Sequence, residues 1–189
     1  MRSWLKSMIL VALLAAAGLA APGAVSATPV TAAAAPYCGI VWGSLPKVAG
    51  GLSTAPIVNV RAGQHPCFDR LVVDVAGGAI GYQVRYVPAV LTQGRGSVIP
   101  LRGGAFLEIV VLNPTYDINS GASTYNPINP AELVDVCGWQ TFRQIASGGS
   151  YEGYTTIGLG VRARLPFEVF TLPGPGTKSR LVIDVAHHW

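Results

Sequence analysis

Side chains able to do acid–base, metal or nucleophilic chemistry are scarce in this chain of 189 residues, which holds three histidines, three cysteines and nine acidic residues. There is no Gly-x-Ser-x-Gly elbow and no His-Glu-x-x-His motif. Gly103-Gly104 and Gly148-Gly149 are not followed by the Lys-Ser or Lys-Thr of a phosphate-cradling loop, so both read as turn punctuation. His187 and His188 are adjacent and would point to opposite faces of a strand. No catalytic residue, metal or cofactor is therefore expected. A glycan hydrolase needs two carboxyl groups roughly 5 to 10 Å apart. Asp117 and Glu152, which fall in loop-like sequence, are the better candidates for that alternative.

Long helical patterns are also lacking, because apolar residues do not recur three and four apart over a useful length. The longest apolar run, Met8 to Ala21, is interrupted only by Gly18, follows Arg2 and Lys6, and precedes the small residues Val25-Ser26-Ala27. It is shorter than the roughly 20 residues that span a bilayer. This layout is that of a secretory signal peptide over 1–27, with an uncleaved anchor as the alternative. A secreted or cell-envelope location follows, with no membrane span left in the mature chain. Removing 1–27 takes away two cations, so 13 − 2 = 11 basic residues face nine acidic ones and the net charge falls to +2. That is too small to argue for nucleic acid. Residues 28–56, rich in Ala, Pro and Gly, read as a linker and an irregular lead-in, and 57–189 as one domain.

What the chain does contain is strands. Arg70-Leu-Val-Val-Asp-Val-Ala76 recurs as Arg180-Leu-Val-Ile-Asp-Val-Ala186. Alternation puts Leu71, Val73 and Val75 on one face and Arg70, Val72 and Asp74 on the other. If the copies pair side by side and antiparallel, Arg70 opposite Asp184 also places Arg180 opposite Asp74; parallel pairing in the equivalent register would oppose like charges. The alternative is two strands that share common β-forming residues. Further strands are expected at 57–61, 82–87, 104–112, 154–164 and 167–172, with 141–146 ambiguous. Residues 113–129 read as a long surface loop, and Asn129-Pro130 could start one helical turn. The expected fold is all-β, a single-domain β-sandwich of seven to nine short strands with at most one short helix.

Export exposes Cys38, Cys67 and Cys137 to an oxidising compartment. Cys38–Cys67 is the preferred bridge, because it ties the lead-in to the loop between the first two strands. Cys137 is then left over, buried among Val134, Val136 and Trp139; no nearby His or Lys would activate it.

The run Val60-Arg61-Ala-Gly-Gln-His65, then Phe68-Asp69-Arg70-Leu-Val-Val-Asp74, Gly81-Tyr82-Gln-Val-Arg85-Tyr86-Val87 and Arg180-Leu-Val-Ile-Asp-Val-Ala-His187 resembles the AMIN-like domain proteins secreted by actinobacteria. Phe142-Arg143-Gln-Ile and Tyr151-Glu152-Gly153 fit too, while His65-Pro66-Cys67 departs from the usual pattern. The resemblance implies a compact β-sandwich and a non-catalytic role in targeting peptidoglycan or associated material, the partner being a cell-wall polymer or an envelope protein. For binding, Tyr82 and Tyr86 share a strand face that could stack on sugars or close the core with hydroxyls at its rim. Arg85 projects from the other face. Arg162 and Arg164 fall on one face, where they could grip carboxylates. A protein-interaction module and a small-ligand carrier remain as alternative functions.

Overall fold

The computed structural model describes residues 37–78 and 80–189. The expected signal peptide, and the linker up to Pro36, lie outside the described residues. After a 3₁₀ turn at Tyr37–Gly39, nine strands follow: β1 (Lys47–Ala49), β2 (Ile57–Gln64), β3 (Phe68–Val75), β4 (Tyr82–Val87), β5 (Ala105–Val111), β6 (Phe142–Tyr151), β7 (Tyr154–Val161), β8 (Phe167–Pro173) and β9 (Ser179–Ala186). They form two antiparallel sheets, one in the order β1-β4-β5-β7-β6 and the other β2-β3-β9-β8. The chain is thus the all-β sandwich that the strand patterns predict.

The two copies of the repeated segment are β3 and β9, and they are antiparallel neighbours. Arg70 faces Asp184 and Asp74 faces Arg180 in the register. With this pairing Leu71, Val73 and Val75 align with Leu181, Ile183 and Val185, all fully buried. Against them pack Val84 of β4, Leu107 and Ile109 of β5 and Ile157 and Leu159 of β7. Each such side chain contributes about 1.5 to 3 kcal/mol when withdrawn from water. The Arg70 guanidinium makes two bonds to Asp184, Nε–Oδ1 at 2.7 Å and Nη2–Oδ2 at 2.6 Å. The second expected ion pair is not formed. Asp74 is instead gripped by Arg61 at 2.9 and 3.1 Å and by Asn59 Nδ2, while Arg180 donates to the Pro173 carbonyl. Arg61 on the neighbouring β2 presents its fork to both carboxylate oxygens, which leaves Arg180 to find another acceptor.

Alternation along β7 sets Ile157, Leu159 and Val161 against a light or polar row of Thr156, Gly158 and Gly160, yet both rows are buried. The connection from β4 to β5, residues 88–104, folds over the outer face of the five-stranded sheet and seals Val90 and Ile99 against Ala146 and Phe106. The light row makes this possible. A Cβ on Gly158 would sit 2.9 Å from Leu101 Cδ1, and one on Gly160 would sit 1.9 Å from the Arg102 carbonyl oxygen. Gly148-Gly149 also has a different role from the turn expected of it. It forms a bulge inside β6, where the register shifts between Ser147 and Ser150, and the turn itself comes at Glu152-Gly153. No helix forms at Asn129-Pro130; Asn129 Oδ1 instead accepts from the Ala131 N–H in a simple turn.

Cys38 and Cys67 are bridged, as expected, over a sequence separation of 29. Closing a loop of that length stabilises the fold by roughly 3 to 4 kcal/mol in the chain-entropy account. Cys137 is free but exposed rather than buried, because the Cys137-Gly138 turn carries it outward while Val136 takes the interior position.

The strap makes a testable demand on β7. Gly160→Ala should lower stability by about 1 to 3 kcal/mol, since the added methyl cannot fit without moving backbone. Gly63→Ala on β2, where a Cβ would meet nothing within 4 Å, should be neutral or slightly stabilising. Urea unfolding of the two variants checks the pair; equal midpoints would contradict the strap packing.

Candidate functional site

The residues singled out for binding are dispersed by the fold, and only two of them meet. Tyr82 points inward from β4, is 8% exposed and reaches the Val169 carbonyl across the sandwich at 3.4 Å. Arg85, on the outward row of β4, is opposite Glu108 and paired with it at 2.7 Å. Arg162 does not share an exposed strand face with Arg164, because β7 ends at Val161 and a bend follows. Its Nη2 donates to the His187 carbonyl and holds the C-terminal end.

Tyr86 and Arg164 do come together. The ring of Tyr86, the last inward residue of β4, stands edge-on to Phe167 at 5.6 Å between centroids, and its hydroxyl both donates to the Leu165 carbonyl and accepts from the Leu165 N–H at 2.9 Å. The Arg164 guanidinium lies 5.2 Å from the centre of that ring and donates to Ser44 Oγ and the Ser44 carbonyl. Between them runs an open groove of about 320 Å³ whose other walls are Val87, Pro88, Phe106 and the Gly104-Ala105 backbone. The glycines shape it: Gly103 adopts φ +133°, and a Cβ on Gly104 would sit 2.4 Å from the Arg162 carbonyl oxygen. Only bare backbone can pass so close to the exit of β7. Trp189 adds an exposed indole whose N–H donates to the Arg164 carbonyl at 2.9 Å.

Sequence reasoning overlooked Phe106. Its outward position follows from the alternation with buried Leu107, and an aromatic on an outward row is the signal that could have marked it. The buried pair of Asp69 and His187 was overlooked as well. Asp69 accepts from the backbone N–H groups of Thr141 and Phe142 at 2.8 and 2.9 Å, and its other oxygen meets His187 Nε2 at 3.1 Å. Asp69 is on β3 and Phe142 opens β6, so the pair clamps the two sheets together.

The two carboxylates considered for hydrolysis are used differently. Asp117 accepts from the Ser120 N–H, the Ser120 hydroxyl and the Asn119 N–H, and these bonds, the Ser120 N–H foremost, hold its pKa below the usual carboxylate value. A carboxyl so favoured in its ionised form is a poor general acid. Glu152 occupies the β6–β7 turn at φ +50°. Among the described residues no group of three or more His, Cys, Asp or Glu side chains could hold a metal, and no helix is long and apolar enough to cross a membrane.

The sequence model of the AMIN-like domain matches residues 55–187, from just before β2 to just after β9. The chain belongs to the AMIN-like domain family. No curated protein and no solved structure matches it. Membership in the AMIN-like family suggests a binding and targeting module of the cell wall, and the disulfide suggests an oxidising compartment.

Tyr86 provides a pH test of how tightly this AMIN-like domain closes its groove. Burial pushes its phenol up to about 12, against the smaller opposing effects of the Leu165 backbone and of Arg164. A folded-state pKa above the unfolded value of roughly 10 stabilises the fold fully below that pH; this contribution is lost as pH rises from about 10 through about 12. Tyr86→Phe should flatten that part of the stability–pH curve, measured by urea unfolding between those limits. An unchanged curve would contradict the placement of the hydroxyl.

Proposed function

We propose that the protein is a secreted, non-enzymatic module that binds cell-wall material and so targets or organises components of the cell envelope. The observation that carries this reading is the open groove between Tyr86, Phe106 and Arg164 on a domain of the AMIN-like family. Aromatic faces offer apolar area to the C–H face of a sugar ring, and an arginine offers a planar fork to a carboxylate. Peptidoglycan presents both chemistries, sugar rings along its strands and carboxylates on its peptides. The paired strands β4 and β5 hold the aromatics in place before any ligand arrives, which limits the ordering cost of binding.

Of the five residues nominated from sequence, Tyr86 and Arg164 are assigned to this contact surface. Arg85 contributes only if its bond to Glu108 opens, and Tyr82 and Arg162 act as scaffold. The non-enzymatic part of the reading is supported by the engagement of Asp117 in its own turn and of Asp69, Asp74 and Asp184 with basic or backbone partners.

Sedimentation with purified, insoluble peptidoglycan tests the proposal. The parent protein should pellet with the wall, and Phe106→Ala combined with Arg164→Ala should weaken binding roughly tenfold or more, in the range of losing two well-placed contacts. Ile128→Ser, at a fully exposed position far from the groove in sequence, should bind like the parent. Binding by all three proteins alike would reject the groove, and no binding by the parent would reject the function.

A further inference from the structure

The other sheet carries a second groove, which shares no residue with the first. It lies on the outer face of β2, β3 and β9 under the β8–β9 hairpin, has a volume of about 500 Å³ and is lined by Asn59, Arg61, Asp74, Lys178, Ser179 and Arg180 among others. Three cations and one carboxylate line it. Arg61 already satisfies Asp74, so the groove is left with an excess of two positive charges, 3 − 1 = +2. Arg180 stands opposite Asp74 in the register but has no carboxylate partner among the described residues. Its Nε is enclosed and lacks a hydrogen-bond partner among them, a costly state for a guanidinium N–H. Lys178 is exposed at the hairpin, where Gly174 N–H bonds the Lys178 carbonyl at 2.7 Å and Gly176 takes φ +65° to tighten the turn.

We propose that this groove is a phosphate-binding site. An excess of two positive charges matches a phosphate dianion, or two successive monoanionic phosphodiesters of a polymer, better than a single carboxylate. Lys178 serves as a point charge from the hairpin side, and Arg180 supplies donors from the sheet. Turning the Arg180 fork toward a bound oxyanion gives its unsatisfied N–H an acceptor. Arg61 stays on Asp74 and keeps that carboxylate from repelling the ligand. A protein with so little net charge has no general attraction for polyanions, so binding here would depend on this local cluster rather than on the field of the whole molecule. The site stands whether or not the Tyr86 groove binds glycan.

The test is an NMR titration of the isotopically labelled protein with inorganic phosphate, with malonate as a dicarboxylate control at matched ionic strength. Saturable shifts confined to Asn59, Gly174 and residues 178–180, tighter for phosphate than for malonate, are expected. Lys178→Glu should weaken phosphate binding by roughly tenfold or more, and Lys178→Arg should stay within about threefold of the parent. Arg180→Gln should also weaken it, while unfolding curves confirm that the variants fold. Shifts that are linear in salt or spread over the surface, or a Lys178→Glu protein that titrates like the parent, would overturn the proposal. Retention on poly(glycerol phosphate) without binding to phosphatidylglycerol–phosphatidylcholine vesicles assigns the phosphate to a polymer; the converse assigns it to a lipid headgroup; neither, with saturable inorganic phosphate, assigns it to a free phosphate. Peptidoglycan free of phosphate polymer separates the two sites: if the parent still pellets with it while phosphate fails to titrate, this site falls and the glycan reading survives.

Discussion

The pairing of β3 with β9 is the constraint on which the rest of the structure depends. Two nearly identical segments lie antiparallel, so one register aligns both apolar rows on the core and sets Arg70 against Asp184. A slip of one residue would turn every side chain to the wrong face. The Asp184 side chain is 1% exposed, and a carboxylate so enclosed is tolerable only with a cation held against it. Arg70 is itself supported, with its guanidinium 5.2 and 5.7 Å from the rings of Phe68 and Phe170. The field of Asp184 is felt by its other cross-strand neighbour too: burial first, and the Asp184 charge second, raise the pKa of Glu168.

From this centre the two sheets diverge in what they show to the outside. The five-stranded sheet is covered by the 88–104 strap, which lies on the glycine row of β7, and its groove opens where the strap returns into β5 beside Tyr86 and Arg164. The four-stranded sheet carries on its outer row the ion pairs Arg70–Asp184 and Arg61–Asp74, and the second groove forms beside the latter, where the β8–β9 hairpin leans over. Asp69 and His187 hold the sheets to each other at the end where Arg162 secures the last residues. Both grooves are therefore built on strands whose positions are fixed by buried contacts, the arrangement in which a binding surface loses least freedom on meeting its ligand.

Much of the framework was legible in the chain because strands advertise themselves by alternation. The repeated segment, the β4 and β5 rows and the Cys38–Cys67 bridge follow from local pattern and from what an exported chain permits. Strand β1 left no trace, since three residues, Lys47-Val-Ala49, are too few to show a period and owe their conformation to β4. The glycines of β6 and β7 were misleading in opposite directions: Gly148-Gly149 makes a bulge where a turn was expected, and Gly158 and Gly160 admit a strap that begins some seventy residues earlier in the chain. Side-chain partnerships were harder still. Register alone puts Arg180 opposite Asp74, but Arg61, diagonal to Asp74 across the β2–β3 pair, takes both carboxylate oxygens, and Arg162 is drawn to a carbonyl by a bend that alternation does not foresee. Grooves are made by such long-range choices, so the candidate site was only half visible: Tyr86 and Arg164 by residue type, and Phe106 and Lys178 not at all.

Exchanging the charges of the central pair tests the account most directly. Arg70→Asp and Asp184→Arg should each cost about 3 kcal/mol, because each leaves like charges facing across an enclosed pair. The double exchange should recover a large part of the loss, with a coupling above about 1 kcal/mol in urea unfolding, as for residues in direct contact. Additive losses, with no recovery in the double variant, would show that β3 and β9 do not meet in this register and would contradict the structure built around them.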